Sequence, residues 1–119
     1  MVRPHQNLEK LTIKSYGGTK FSTWVGDSSF SKVTVLKLDG CMKCIILPSL
    51  GLLSSLKNLT LEGMKGIKSI GFEFYGEGWS KPFLSLETLC FKDLEAWECW
   101  NPVKENESFL KLQELSIVK

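Results

Sequence analysis

The chain has 119 residues, 43% of them hydrophobic and 24% charged, the balance expected of one globular domain. Its 15 basic and 13 acidic residues leave a net charge of +2, too small to mark a nucleic-acid or membrane-surface footprint. No apolar run reaches the roughly 18–20 residues of a membrane span. Residues 1–15, MVRPHQNLEKLTIKS, also lack the apolar core of a signal peptide, so the expected compartment is the cytosol.

The first element is LEKLTIKSY, residues 8–16, with apolar or aromatic side chains at Leu8, Leu11, Ile13 and Tyr16. Spacings of three, two and three suit neither a helix nor a plain strand. The same pattern returns in VTVLKLDGC (33–41), LKNLTLEGM (56–64), LETLCFKDL (86–94) and the closing LQELSIVK. The marker residues Leu11, Leu36, Leu59, Leu89 and Leu115 lie 25, 23, 30 and 26 residues apart. A period of about 20–29 residues with an L-x-x-L-x-L template is the signature of leucine-rich repeats. The L-x-L centre predicts a short strand with its two apolar residues inward and its other residues outward. The apolar residues on either side mark corners. No repeat can bury its apolar side alone, so the strands stack in parallel into one curved sheet. Strands are expected near 10–14, 35–39, 58–62, 88–92 and 114–118, in one domain spanning 1–119.

Between the strands run return arms. In CIILPSLGLLSSL (44–56), Leu47, Leu50, Leu53 and Leu56 recur every three residues, with Pro48 and Gly51 as turn residues. That spacing predicts an irregular or 3-10 arm. The third repeat is longest; its extra length lies in GIKSIGFEFYGEGWSKPF (66–83), where Ile70, Phe72 and Phe74 alternate and predict one more short strand. Gly76 and Gly78 then open a loop carrying Trp79. The expected fold is therefore an α/β-class, helix-poor solenoid: a curved parallel sheet of about five short strands with irregular return arms.

The outward residues of the strands form three columns. The first holds Lys10, Val35, Asn58, Thr88 and Glu114; the second Thr12, Lys37, Thr60, Cys90 and Ser116; the third Lys14, Asp39, Glu62, Lys92 and Val118. Both charge signs occur, without a cluster of one type. This mixture fits a protein-binding face better than a small-molecule pocket. It also fits a plain solvated face; the habitual use of this surface by curved solenoids favours partner contact. Trp79 is a candidate exposed anchor, whereas Trp24, Trp97 and Trp100 are expected to pack between return arms.

Chemistry is thinly represented. Cys41-Met42-Lys43-Cys44 is a C-x-x-C, but Cys90 and Cys99 are too irregularly spaced to complete a zinc site, and no βαβ unit frames a redox pair. Both are read as buried, reduced core residues. His5 is the sole histidine, leaving one possible imidazole base. GEGWSK (76–81) is not a phosphate-binding G-x-x-x-x-G-K-[ST]. Neither catalysis, nor a cofactor, nor a metal is expected. Asn58-Leu59-Thr60 and Asn106-Glu107-Ser108 are glycosylation sequons without a secretory context.

Four stretches carry a family resemblance: RPHQNLEKLTIKSYGGTKF (3–21), WVGDSSFSKVTVLKLDGCMKC (24–44), LPSLGLLSSLKNLTLEGMKGIKSIGFEFYGEG (47–78) and PFLSLETLCFKDLEAWECW (82–100). Together they resemble the leucine-rich-repeat region of plant intracellular nucleotide-binding leucine-rich-repeat immune receptors, of the coiled-coil branch. The run LP-x-LG-x-L-x-x-LK-x-L followed by GMKGIKSIGFEFYG is the most specific part. The resemblance implies a protein-recognition module in plant defence. Its partners would be a pathogen effector, a guarded host protein, or the receptor's own nucleotide-binding domain in the resting state. Ser22 and Ser54 stand where the family often has proline. The family's coiled-coil and nucleotide-binding domains are not in these residues, so the expectation is a piece of a receptor or the non-functional product of a truncated gene. Both ends of the array are expected to show apolar faces. Two other readings are a repeat adaptor of a ubiquitin ligase, which would carry a helical recruiting box, and an enzyme using Cys41 and Cys44.

Overall fold

The computed structural model describes residues 7–19, 21, 32–76, 82–100 and 109–118. Five strands form one sheet: β1 (Lys10–Lys14), β2 (Val35–Asp39), β3 (Asn58–Glu62), β5 (Thr88–Lys92) and β7 (Glu114–Val118). They lie in the order β1-β2-β3-β5-β7, and each neighbouring pair is parallel. On the return side, β4 (Ser69–Ile70) pairs in parallel with β6 (Cys99–Trp100). The chain is thus a helix-poor leucine-rich-repeat solenoid with a five-stranded parallel sheet.

The template residues set the pairing. Leu11, Leu36, Leu59, Leu89 and Leu115 stand side by side, as do Ile13, Leu38, Leu61, Phe91 and Ile117. A slip of one residue would send every one of these side chains to solvent, so burial fixes the register. The core continues into the return arms through Leu47, Leu50, Leu53 and Leu56, all buried, with a 3-10 turn at Leu50–Leu52. Side chains three apart eclipse in such a turn, which is why a leucine every third residue suits it.

Two backbone motifs recur at each step. Just before each strand, one carbonyl accepts two N–H groups from the next repeat: Glu9 from Thr34 and Val35, Thr34 from Lys57 and Asn58, Lys57 from Glu87 and Thr88, Glu87 from Gln113 and Glu114. Just after each strand, Ser15, Gly40, Gly63 and Asp93 adopt left-handed backbone, with φ of 54°, 69°, 67° and 56°. Their N–H groups donate to Asp39, Glu62, Lys92 and Val118 at 2.8–3.0 Å. Glycine holds this conformation without strain, and Asp tolerates it better than most residues. Here the chain turns from the sheet into the return arm.

One expectation is corrected. The alternation of Ile70, Phe72 and Phe74 predicted one more short strand; a short strand is there, β4, but it stops at Ile70 and one helical turn follows, α1 (Phe72–Tyr75). Consecutive residues Phe74 and Tyr75 are both buried. A strand would point them to opposite faces, whereas a turn of helix places both against the core. The Phe74 N–H closes this turn on the Gly71 carbonyl at 3.1 Å. Phe74 then lies 4.7 Å from Phe83, and Tyr75 5.8 Å from Phe109, ring centre to ring centre.

Candidate protein-binding face

The residues that alternate with the core pair point away from it and make a continuous outer surface of the sheet. Strand pairing places Lys10, Val35, Asn58, Thr88 and Glu114 in one row across the strands, and Thr12, Lys37, Thr60, Cys90 and Ser116 in a second. Lys14, Asp39, Glu62, Lys92 and Val118 make a third. All fifteen outward residues of the three columns read from the sequence therefore share one face. Trp79 lies outside the described residues, as do Trp24, His5 and Asn106.

This face is wet and mixed in charge. Lys10, Thr12, Lys14, Asn58, Lys92, Glu114 and Val118 are exposed, and the others are half-buried by their neighbours. Lys37 Nζ reaches Glu62 Oε1 at 3.6 Å, a diagonal pair between adjacent strands. Both ends are open to solvent, so the pair contributes at most about 1 kcal/mol. Its effect is to bridge β2 and β3 in the middle of the face. The centre, around Asn58, Thr60, Thr88 and Cys90, carries short uncharged side chains, and the longer charged ones stand around it.

The two thiols of the C-x-x-C are core residues. Cys41 and Cys44 are free and buried. Cys44 Sγ donates to the Ile46 carbonyl at 3.0 Å, and Cys41 Sγ faces the Asp39 carbonyl at 3.9 Å. Burial pushes the Cys44 thiol up to about 11, against an ordinary value of 9.0. Burial also raises Cys41, partly offset by a hydrogen bond with the Tyr16 backbone. Raised thiols are poor nucleophiles at neutral pH, because the thiolate is the reactive form. A timed titration with a disulfide reagent should show Cys99 and Cys90 reacting first, since one is exposed and the other half-buried. Cys44 should react only as the chain opens, or as pH climbs towards about 11, and Cys41, also raised by burial, should lag behind the exposed thiols. Fast reaction of all four thiols at pH 7 would contradict this placement.

Of the tryptophans of LEAWECW, Trp97 packs within its own repeat and Trp100 reaches the arm before it. Trp97 packs on Phe91 at 4.9 Å, and Trp100 Nε1 donates to the Tyr75 hydroxyl at 2.7 Å. Trp100 therefore links the fourth arm to α1 in the third, as expected of packing between arms.

One feature of the second arm is not announced by the repeat template. Met42, Ile45 and Ile46 are exposed, and a cavity of about 60 Å³ lies between Ile45–Leu47 and the segment Ser69–Phe74. The leucine period beginning at Leu47 masks the Ile-Ile pair before it. Two adjacent isoleucines in an extended arm are the available signal. Among the described residues no group of three or more His, Cys, Asp or Glu is placed to hold a metal, and no helix is long and apolar enough to cross a membrane.

Stacked L-x-x-L-x-L strands with left-handed corners define a leucine-rich-repeat array. The R13L1/DRL21 LRR family matches residues 1–64, and the chain belongs to that family. It is 40% identical over 99% of its length to a protein named as disease resistance RPP13-like protein 1 of Arabidopsis thaliana. It is also 40% identical, over 98% of its length, to a second Arabidopsis protein named for disease resistance. Disease resistance protein RGA4 of Solanum bulbocastanum shares 38% identity over 51% of the chain. The chain spans 12%, 8% and 6% of the lengths of these three relatives. No solved structure matches it at a significant level.

Proposed function

We propose that residues 1–119 form one leucine-rich-repeat domain that recognises protein on the outer face of its sheet, as part of a larger nucleotide-binding leucine-rich-repeat receptor in the plant cytoplasm. The domain senses an effector or a guarded host protein, contacts the receptor's own nucleotide-binding domain at rest, or does both. It performs no catalysis. The observation that carries the reading is the constant register, which keeps three rows of mainly polar side chains aligned across all five strands. A wet, charge-mixed surface of this kind suits a protein partner, whose own surface is similarly polar. The relatives' names place the family in disease resistance.

Proximity labelling in leaf tissue tests this. Wild-type chain is compared with a Thr60→Arg/Asp39→Lys variant of the face and with a Lys65→Glu control on an exposed turn. The face variant should lose labelled neighbours that wild type and control share. An unchanged set of neighbours would refute binding by this face.

A further inference from the structure

Counted from the left-handed corners Gly40, Gly63 and Asp93, the second, fifth and sixth residues of the following arm stand exposed. In the third arm they are Lys65, Lys68 and Ser69, and in the fourth Glu95, Glu98 and Cys99. In the second arm they are Met42, Ile45 and Ile46, which are 52%, 59% and 42% exposed. The fold asks for no apolar side chain there, since the next two arms carry polar ones at the same places. An exposed apolar cluster that packing does not require marks a contact surface.

The main chain departs from its pattern at the same spot. The Ile45 N–H donates to the Thr19 carbonyl at 2.9 Å, tying the second arm to the first. The Glu98 and Cys99 N–H groups donate to the Lys68 carbonyl at 2.8 and 3.2 Å, tying the fourth arm to the third. Among the described residues no main-chain bond joins residues 44–47 to residues 66–70. These arms touch at Gly66, where an added methyl would meet the Cys44 carbonyl oxygen at 2.7 Å. Past that contact lies the cavity of about 60 Å³, with Ile45, Ile46 and Leu47 on one side and Ile70, Gly71 and Phe74 on the other. Such a space takes the branched end of one aliphatic side chain.

We propose that this patch docks a segment of another protein that offers one leucine or isoleucine to the cavity and carries acidic residues beside it. Charge selects the segment. Lys43 stands two residues before Ile45, and Lys68 adjoins Ser69 across the cavity. Both are exposed and enter no ion pair among the described residues, whereas Lys65 is already held by Glu95 at 3.6 Å. Carboxylates meeting those two ammonium groups gain strength once docked apolar side chains exclude water around them. A cationic segment would meet the same lysines head on. Glu73, exposed in the cavity wall, keeps the anchoring side chain uncharged. The patch lies past the corner and off the outer face of the sheet, so it leaves that face free for the partner proposed above.

Fluorescence anisotropy on the purified full chain tests this with two labelled synthetic peptides. Both carry leucines at helical spacing; one flanks them with glutamates, the other with lysines. The glutamate peptide should bind saturably, and about tenfold or more tighter than the lysine peptide. Ile45→Ser/Ile46→Ser, which removes apolar area at two exposed positions, should weaken its binding about tenfold or more. Lys43→Glu/Lys68→Glu should reverse the preference between the peptides. Lys10→Glu, on the outer face, should leave affinity within about twofold of wild type, because the charge is distant and screened. Circular dichroism confirms that each variant keeps its fold. Absence of saturable binding by the glutamate peptide overturns the proposal. So does equal affinity for the two peptides, or binding indifferent to the two isoleucines. Binding lost in Lys10→Glu and kept in the arm variants would put the peptide on the outer face and overturn it as well.

Discussion

Leu59→Asp is expected to unfold the protein. Leu59 is buried on the middle strand, β3, paired with Leu36 on one side and Leu89 on the other. A carboxylate there would lie in the apolar core, between Leu36 and Leu89, with no cation in that cluster among the described residues. Burying such a charge unpaired costs several kcal/mol or more, against a total stability of about 5–15 kcal/mol for a typical domain. Because each repeat leans on its neighbours, a fault in the middle strand separates the array into two pieces, neither with a full core. The measurement is far-UV circular dichroism with thermal melting. Thr60→Asp, one residue along and pointing to the outer face, is the control and should melt near wild type. If Leu59→Asp melted within a few degrees of wild type, Leu59 could not be packed between Leu36 and Leu89.

The second large effect is expected at Gly51. It lies in the 3-10 turn of the second return arm, pressed against the backbone of α1. A methyl group added there would run into the Tyr75 carbonyl oxygen, with the carbonyl carbon at 2.7 Å and Cα at 2.9 Å. Both obstacles are main chain, so no side-chain rotation relieves them. The Gly51 carbonyl also accepts the Phe83 N–H at 3.0 Å, and a shift of this turn would strain that bond as well. Gly51→Ala should cost about 3 kcal/mol, at the upper end of overpacking penalties. For a domain of this size that lowers Tm by roughly 10–15 °C. Gly17→Ala, where an added methyl meets nothing within 4 Å, should shift Tm by little. A Gly51→Ala chain melting with wild type would mean that the two arms do not approach so closely.

These two positions illustrate what the sequence reveals. Leu59 was legible because a strand with a buried side prints its alternation into the chain, and the same print recurs at Leu36 and Leu89. The outer rows were legible for the same reason: once the inward residues are known, the outward ones follow. Repeat length varies from 23 to 30 residues between marker leucines, yet the rows stay aligned because the extra length is absorbed in the return arm. Gly51 was legible only as a turn residue; that it must be glycine depends on α1, 24 residues on, whose approach no local pattern announces. The helix itself was hidden because Ile70, Phe72 and Phe74 alternate as a strand would. Tyr75 was the contrary sign, an aromatic residue next to an aromatic residue. Whether the charged side chains pair across the rows was also beyond a one-dimensional reading, since the Lys37–Glu62 bridge is diagonal.

The uniform step between strands has a consequence for how the protein is made. Each strand finds its partner one repeat back, 23 to 30 residues earlier, and no pairing in the sheet skips a repeat. The entropy of closing a loop rises only with the logarithm of its length, so every addition costs nearly the same. As the chain leaves the ribosome, β2 can settle on β1, β3 on β2, and so on in the order of translation. The newest strand always meets a finished surface. Until the next repeat emerges, one side of the newest strand's apolar pair lies open, and a nascent-chain chaperone would find it there.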